Sequence, residues 1–265
     1  MLILLPPSEG KAEAGTGRRL DLSRLSLPEL TPAREEVLAA LVALCAGPDE
    51  AAARAALGLS EGQGGELRRN ARLRVAATAP ADRIYTGVLY EALDLASLPP
   101  AAARLARRSV LVSSGLWGAV RLTDRIPPYR CPVGAKLPGI GALSAYWRRA
   151  LVPAMAAAAG RGPVLDLRSG AYAATWAPRG EVAERTVTVR VLHERDVDGV
   201  PTRSVVSHFN KATKGRLVRD LLTAGVRPRT TAALVGALRD LKYTVEEQPA
   251  PAGRPRQVDV VVTEL

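Results

Sequence analysis

The opening stretch MLILLPPSEGK, residues 1–11, decides how the chain is read. Leu2 to Leu5 are apolar without alternation, which suits a strand covered on both faces. Pro6 and Pro7 cannot extend a ladder and end it at once. Ser8, Glu9 and Lys11 follow at the strand exit, where open α/β sheets commonly form their sites. Two later segments repeat the design. SVLVSSGLWG (109–118) runs an apolar strand into a turn at Ser114 and Gly115, and PVLDLRSGAY (163–172) ends in Ser169 and Gly170.

Helices fill the intervals. TPAREEVLAALVALCAG (31–47) has Thr31 as its expected cap, Pro32 in the first turn, and an apolar stripe of Val37, Leu38, Leu41, Val42 and Cys45. Further helices are expected over 49–57, within 60–76, in the second half of 82–98, over 211–222 and over 230–241. ERTVTVRVLHE (184–194) and TRSVVSHF (202–209) alternate and flank Asp198 and Gly199, which predicts a hairpin. KYTVEEQ and QVDVVVTEL read as two paired C-terminal strands, with QPAPAGRPRQ as the loop between them. The fold class is therefore mixed α/β (α+β), one domain over 1–265, with a mixed sheet flanked by helices.

Charge narrows function. The 265 residues carry 37 Lys plus Arg against 26 Asp plus Glu, a formal net charge of +11. That excess favours polyanionic partners, either nucleic acid or phosphorylated small molecules. Two cysteines, Cys45 and Cys131, have no metal-like spacing and read as reduced packing residues. The apolar run at the N-terminus is too short for a bilayer span or a signal core. A cytoplasmic, soluble protein without a membrane partner is expected, with a monomer favoured.

Several catalytic templates are absent. EGKAEAG lacks the first glycine of a P-loop and the Ser or Thr after its Lys. No G-x-G-x-x-G opens a helix and no G-x-S-x-G elbow occurs. With only His193 and His208, metal sites and Ser-His pairs have few candidates, so no metal and no cofactor are expected. His193 reads as a structural residue on a strand face.

Five polar clusters remain. The first is Ser8, Glu9 and Lys11. In the second, Arg121, Asp124, Arg125 and Arg130 alternate with Trp117 and Tyr129, and Arg121 and Asp124 stand three apart as a candidate pair. The third is KLPGIGALSAYW (136–147), whose Gly139 and Gly141 suit a hairpin presenting backbone N–H groups to phosphate, with Lys136, Arg148 and Arg149 as counter-charge. The fourth is Asp166, Arg168, Ser169 and Tyr172. The fifth, SHFNKATKGRLVRDLL (207–222), is densest, with Asn210, Lys211, Lys214 and Arg216 beside His208. Lys211 and Lys214 lie one helical turn apart, next to the apolar stripe of Leu217 and Leu221, so their ammonium groups are expected to lean into a cleft.

These motifs also carry a resemblance. MLILLPPSEGK, YTGVLYEALD, SGLWGAVRLTDRIPPYR, LPGIGALSAYWR, LDLRSGAY and VSHFNKATKGRLVRDLL, in this order over residues 1–223, resemble the YaaA peroxide-stress protein family. The resemblance implies a single-domain α/β protein with a positively charged cleft and a helix-hairpin-helix-like element. It further implies DNA binding and a part in limiting iron-driven oxidative damage. Two departures stand out: Leu122 replaces a proline common before the Asp, and PPSEGK replaces SPAKT, as in a distinct subgroup.

Two functions from different classes follow. In the first, a basic cleft holds the backbone of double-stranded or distorted DNA without reading sequence. Its contacts would be Ser8, Lys11, Arg121, Arg130, Lys136, Gly139, Gly141, Arg148, Arg168, Ser169, Asn210, Lys211, Lys214 and Arg216. In the second, Glu9, Asp124, Asp166, Tyr172, His208 and Lys211 line an enzyme pocket for a nucleotide-like or phosphorylated small molecule, with Glu9 or His208 as general base. A groove as wide as a duplex favours the first, and a closed pocket the second.

Overall fold

Leu2–Leu5 form β1, the four-residue strand at the centre of the main sheet, and all four residues are buried. A computed structural model describes residues 1–197 and 200–263. Helices α1 (Thr31–Ala46), α2 (Glu50–Leu57) and α3 (Gly64–Ala71) follow β1, then β2 (Ala79–Pro80), α4 (Ala81–Ile84), α5 (Val88–Leu93) and α6 (Pro100–Ser109). The middle of the chain forms β3 (Val110–Ser114), β4 (Gly118–Arg121), β5 (Arg125–Ile126), β6 (Lys136–Leu137), β7 (Gly141–Ala142) and α7 (Leu143–Ala159). The remainder forms β8 (Val164–Asp166), α8 (Gly170–Ala173), α9 (Glu181–Glu184), β9 (Thr186–Val197), β10 (Val200–Ser204), α10 (Ser207–Thr223), α11 (Thr231–Asp240), β11 (Thr244–Glu247) and β12 (Arg256–Val262).

The main sheet runs β11-β12-β9-β8-β1-β3-β4, with β10 paired to β9. β1 is parallel to both β3 and β8, with Leu4 opposite Leu111 and Asp166. Parallel neighbours and crossover helices bury both faces, which is why these strands are unbroken apolar runs. Antiparallel partners β4, β10 and β11 make the sheet mixed. Helices flank it: α10 packs against α5, α6 and β9, and α7 against β4.

β9 has an interrupted edge. One side pairs with β12 from Val187 to His193. The other side meets β8 at Thr186 to Thr188 and β10 at His193 to Val197. Among the described residues, no strand therefore lies beside 189–192 on that second edge.

Most elements lie where the sequence places them, with four corrections. Thr31 is the first residue of α1 and not its cap; a 3-10 turn over Pro28–Leu30 leads directly into the helix. The expected strand 202–209 ends at Ser204, and Ser207 already opens α10. The turn at Asp198 and Gly199 lies outside the described residues. The LPGIG segment is not the turn of a helix-hairpin-helix. Lys136 pairs with Ala142 and Leu137 with Gly141, so the segment closes a β-hairpin, and no helix precedes it in 127–135. Gly139 and Gly141 take φ of +74° and +79°, left-handed values that a tight hairpin requires as much as a phosphate cradle does. Finally, Arg121 and Asp124 do not form a side-chain ion pair. The Asp124 carboxylate accepts from the Ser26 N–H and hydroxyl and from the Arg121 backbone N–H, while the Arg121 guanidinium donates to the Arg108 carbonyl.

Candidate functional site

The exits of β1 and β8 open on one cavity of about 830 Å3. Pro6 to Lys11 come from the first exit and Leu167 to Tyr172 from the second. The walls are completed by Thr86 to Tyr90, Tyr129 to Gly134, Val189 and Arg190 of β9, and Asn210, Lys211 and Lys214 of α10. The cavity thus lies past the carboxyl ends of parallel strands, where side chains need not fill a sheet face. It reaches the interrupted edge of β9 through Val189 and Arg190.

The first exit is knitted into place by its own polar groups. The Ser8 hydroxyl donates to the Gly10 carbonyl and accepts the Thr86 N–H at 3.0 Å. Tyr90 donates to the Pro6 carbonyl at 2.7 Å. Lys11 donates to the carbonyls of Ser8 at 2.9 Å and Glu9 at 3.3 Å, and its Nζ stands 4.3 Å from the centre of the Tyr129 ring. Burial, reinforced by the neighbouring Arg130 guanidinium, pulls the Lys11 ammonium down to about 8. Beneath it runs a chain of hydroxyls, with Ser114 Oγ 2.6 Å from Tyr129 and Tyr129 3.0 Å from Tyr85.

Arg130 is held by its backbone. The fully buried Asn70 accepts the Arg130 N–H at 3.0 Å and donates to its carbonyl at 2.7 Å, imitating a strand partner. The side chain is free to face the cavity, where one nitrogen pairs with Glu9 at 3.1 Å. Its Nε is buried and has no partner among the described residues, and the same is true of Asn210 Oδ1.

Arg168 behaves differently. Its guanidinium makes a two-pronged bond to Asp166, at 2.9 and 2.7 Å, and also donates to the Tyr172 and Trp176 carbonyls. Its side chain is 1% exposed, so the pair is a strut of the cavity wall. Lys214 reaches the Leu167 carbonyl at 3.4 Å; burial lowers its ammonium, and Asp166 opposes that shift. Lys211, one turn earlier on α10, is exposed at the rim. Burial pushes the Tyr172 phenol above its ordinary range. Cys131 is buried at the cavity wall, its thiol pushed up to about 12, and remains a packing residue, as does Cys45.

The expected site residues divide accordingly. Ser8, Glu9, Lys11, Arg130, Arg168, Ser169, Tyr172, Asn210, Lys211 and Lys214 meet at the cavity. Asp166 stands just behind it through Arg168. Arg121, Asp124, Lys136, Gly139, Gly141, Arg148 and Arg216 are not among its lining residues, so the expected convergence of all five clusters is corrected to three clusters and part of a fourth. The His208 side chain lies outside the described residues. His193 is 3% exposed and accepts from Arg195 at Nδ1, a structural position. Among the described residues no group of His, Cys, Asp and Glu is placed to hold a metal ion, and no helix is long and apolar enough to cross a membrane.

Arg190 is the lining cation that sequence reasoning missed. Asp259 on β12 holds its fork at 2.8 and 2.6 Å, and Gln248 donates to the same carboxylate. The available signal was Asp259 itself, a carboxylate in the otherwise apolar run VDVVV.

Comparison with known proteins fits this arrangement. The family model described as Peroxide stress protein YaaA matches residues 1–249. The chain belongs to the YaaA peroxide stress protein family. A UPF0246 protein of Streptomyces coelicolor is 63% identical, with all of both chains covered. UPF0246 proteins of Corynebacterium efficiens and Corynebacterium glutamicum are 43% and 41% identical, over 93% and 94% of this chain and 95% and 96% of their own. Membership of the YaaA family is consistent with a stress-response role.

Proposed function

We propose that the chain binds a phosphorylated, nucleotide-sized small molecule in the cavity past β1 and β8. One observation carries this reading: Lys11, Lys211 and Lys214 converge on about 830 Å3 beside Arg130 and Arg190, which Glu9 and Asp259 already pair, and among the described residues Glu9 is the only carboxylate lining it. Lysine ammonium groups without an ion pair among the described residues, in a partly desolvated cavity, favour an anion, and phosphate supplies several acceptor oxygens for them. Tyr172, Val88 and Leu89 supply the apolar wall for a ring or sugar face.

Thermal-shift measurements with nucleotides and phosphorylated metabolites test this, because a ligand selective for the folded state raises its stability. A concentration-dependent rise with a phosphorylated compound, absent with its dephosphorylated form, is expected. No rise with any member of the panel overturns the reading.

A second reading, non-sequence-specific binding of the DNA backbone, is favoured by the net charge of +11. It predicts duplex affinity that falls steeply with salt, because each phosphate contact releases counterions. A flat salt response removes it.

A further inference from the structure

We propose that Lys11 is a nucleophilic amine that condenses with a carbonyl group of the phosphorylated ligand, giving an imine. This rests on the cavity being the ligand site, and it adds the ligand's chemical class: a phosphorylated aldehyde or ketone.

The first observation is residue choice. Of the 37 basic residues only five are lysines, and three of these, Lys11, Lys211 and Lys214, line one cavity. Arginine serves almost everywhere else, including in the Arg168 and Arg190 ion pairs. Arginine binds phosphate at least as well, but it stays protonated at every working pH and cannot act as a nucleophile. Lysine in the cavity of an arginine-rich chain marks a place where an amine is needed.

The second observation separates Lys11 from the other two. Lys211 is exposed, and Lys214 has the Asp166 carboxylate favouring its charged form. Lys11 has no ion pair among the described residues. Its hydrogen bonds go to two neutral carbonyls, of Ser8 and Glu9. An amine keeps two N–H groups after losing its third proton, so both bonds survive deprotonation and a lone pair becomes available. Burial and the Arg130 charge favour that loss and outweigh Cys131, Glu66 and Glu9, which favour the charged form.

The third observation is an acid in the same cavity. Tyr172 lines it, and burial keeps its phenol protonated, with a proton to donate. In the step, the Lys11 lone pair attacks the carbonyl carbon and the π pair moves to oxygen. That oxygen takes a proton from Tyr172, and the nitrogen gives one up to solvent. A proton from solvent then lets the hydroxyl leave as water, giving a protonated C=N, and its N–H proton returns to Tyr172 to leave the imine. No oxidant or reductant enters.

Pyridoxal 5′-phosphate, a phosphorylated aldehyde, serves as probe, followed by borohydride reduction and peptide mapping. Lys11 is expected to be labelled on the order of tenfold or more faster than exposed Lys136 at neutral pH, since a lowered ammonium has a larger neutral fraction. Its labelling should saturate near pH 8 to 9, below the range in which a free lysine side chain loses its proton. Lys11→Arg should bind the probe, read by thermal shift, without trapping it. Equal rates and pH profiles at Lys11 and Lys136 in the unaltered protein overturn the inference, and that comparison needs no variant to fold. Binding without preferential trapping at Lys11 defeats the nucleophile alone, whereas no binding by any phosphorylated compound defeats the ligand reading itself.

Discussion

Arg190 and Asp259 face one another in the β9–β12 register, and two guanidinium bonds close between them at 2.8 and 2.6 Å. Asp259 is 1% exposed, while the Arg190 side chain is 47% exposed and lines the cavity. Asp259→Ala should cost about 2 kcal/mol in chemical denaturation, because it strands Gln248 and Gln257 as well as Arg190. The Arg190 bond holds the Asp259 carboxyl below its ordinary range. A folded value below the unfolded one means the stabilisation is complete above about pH 4 and lost as pH falls further. Between pH 6 and pH 3 the unaltered protein should therefore lose more stability than Asp259→Asn.

Lys11 works in the opposite sense. Its folded value, about 8, lies below that of a free lysine, so the unfolded chain binds the extra proton between the two. Stability attributable to Lys11 should rise as pH increases from about 8 towards 10, as the buried charge is relieved. Lys11→Met should flatten that rise, measured as denaturation midpoints across the same window.

Gly215 lets α10 lie against α5. A Cβ there would overlap the Leu89 carbonyl and approach Ala92 Cβ and Leu93 N to 2.9 and 3.0 Å. Gly215→Ala should destabilise by about 3 kcal/mol, since backbone has to shift. It should also weaken phosphorylated ligands, because Leu89 and Lys214 belong to these two helices. Thermal melts with and without ligand separate the two effects.

Lys214→Ala should weaken a phosphorylated ligand about tenfold, the scale of one charged hydrogen bond. Lys136→Ala and Arg148→Ala should leave its affinity unchanged, because neither residue lines the cavity. Titration calorimetry with the best compound of the thermal-shift panel checks all three.

The strand exits were legible because a doubly covered strand must be apolar throughout, and Leu2 to Leu5 leave no other reading. That the exits of β1 and β8 share a cavity depends on long-range parallel pairing, yet the polar residues at both ends announced it. The LPGIG hairpin misled because positive-φ glycines report backbone shape and not its purpose. Asp124 misled for a related reason: its spacing from Arg121 fits a helical pair, but the chain there is a strand end and a turn. Arg190 stayed hidden because its partner lies 69 positions away, joined only by the β9–β12 register.

The interrupted edge of β9 acts as a ruler. The four residues between its contacts with β8 and β10 span about 13 Å at strand spacing, and the cavity draws Val189 and Arg190 from that interval. Inserting or deleting two residues there would lengthen or shorten the binding space by about 7 Å while keeping every side chain on its face. A change of one would turn Arg190 to the opposite face and unpair Asp259. The length of the cavity along β9 is thus set in steps of two residues, at a point in the chain remote from Lys11.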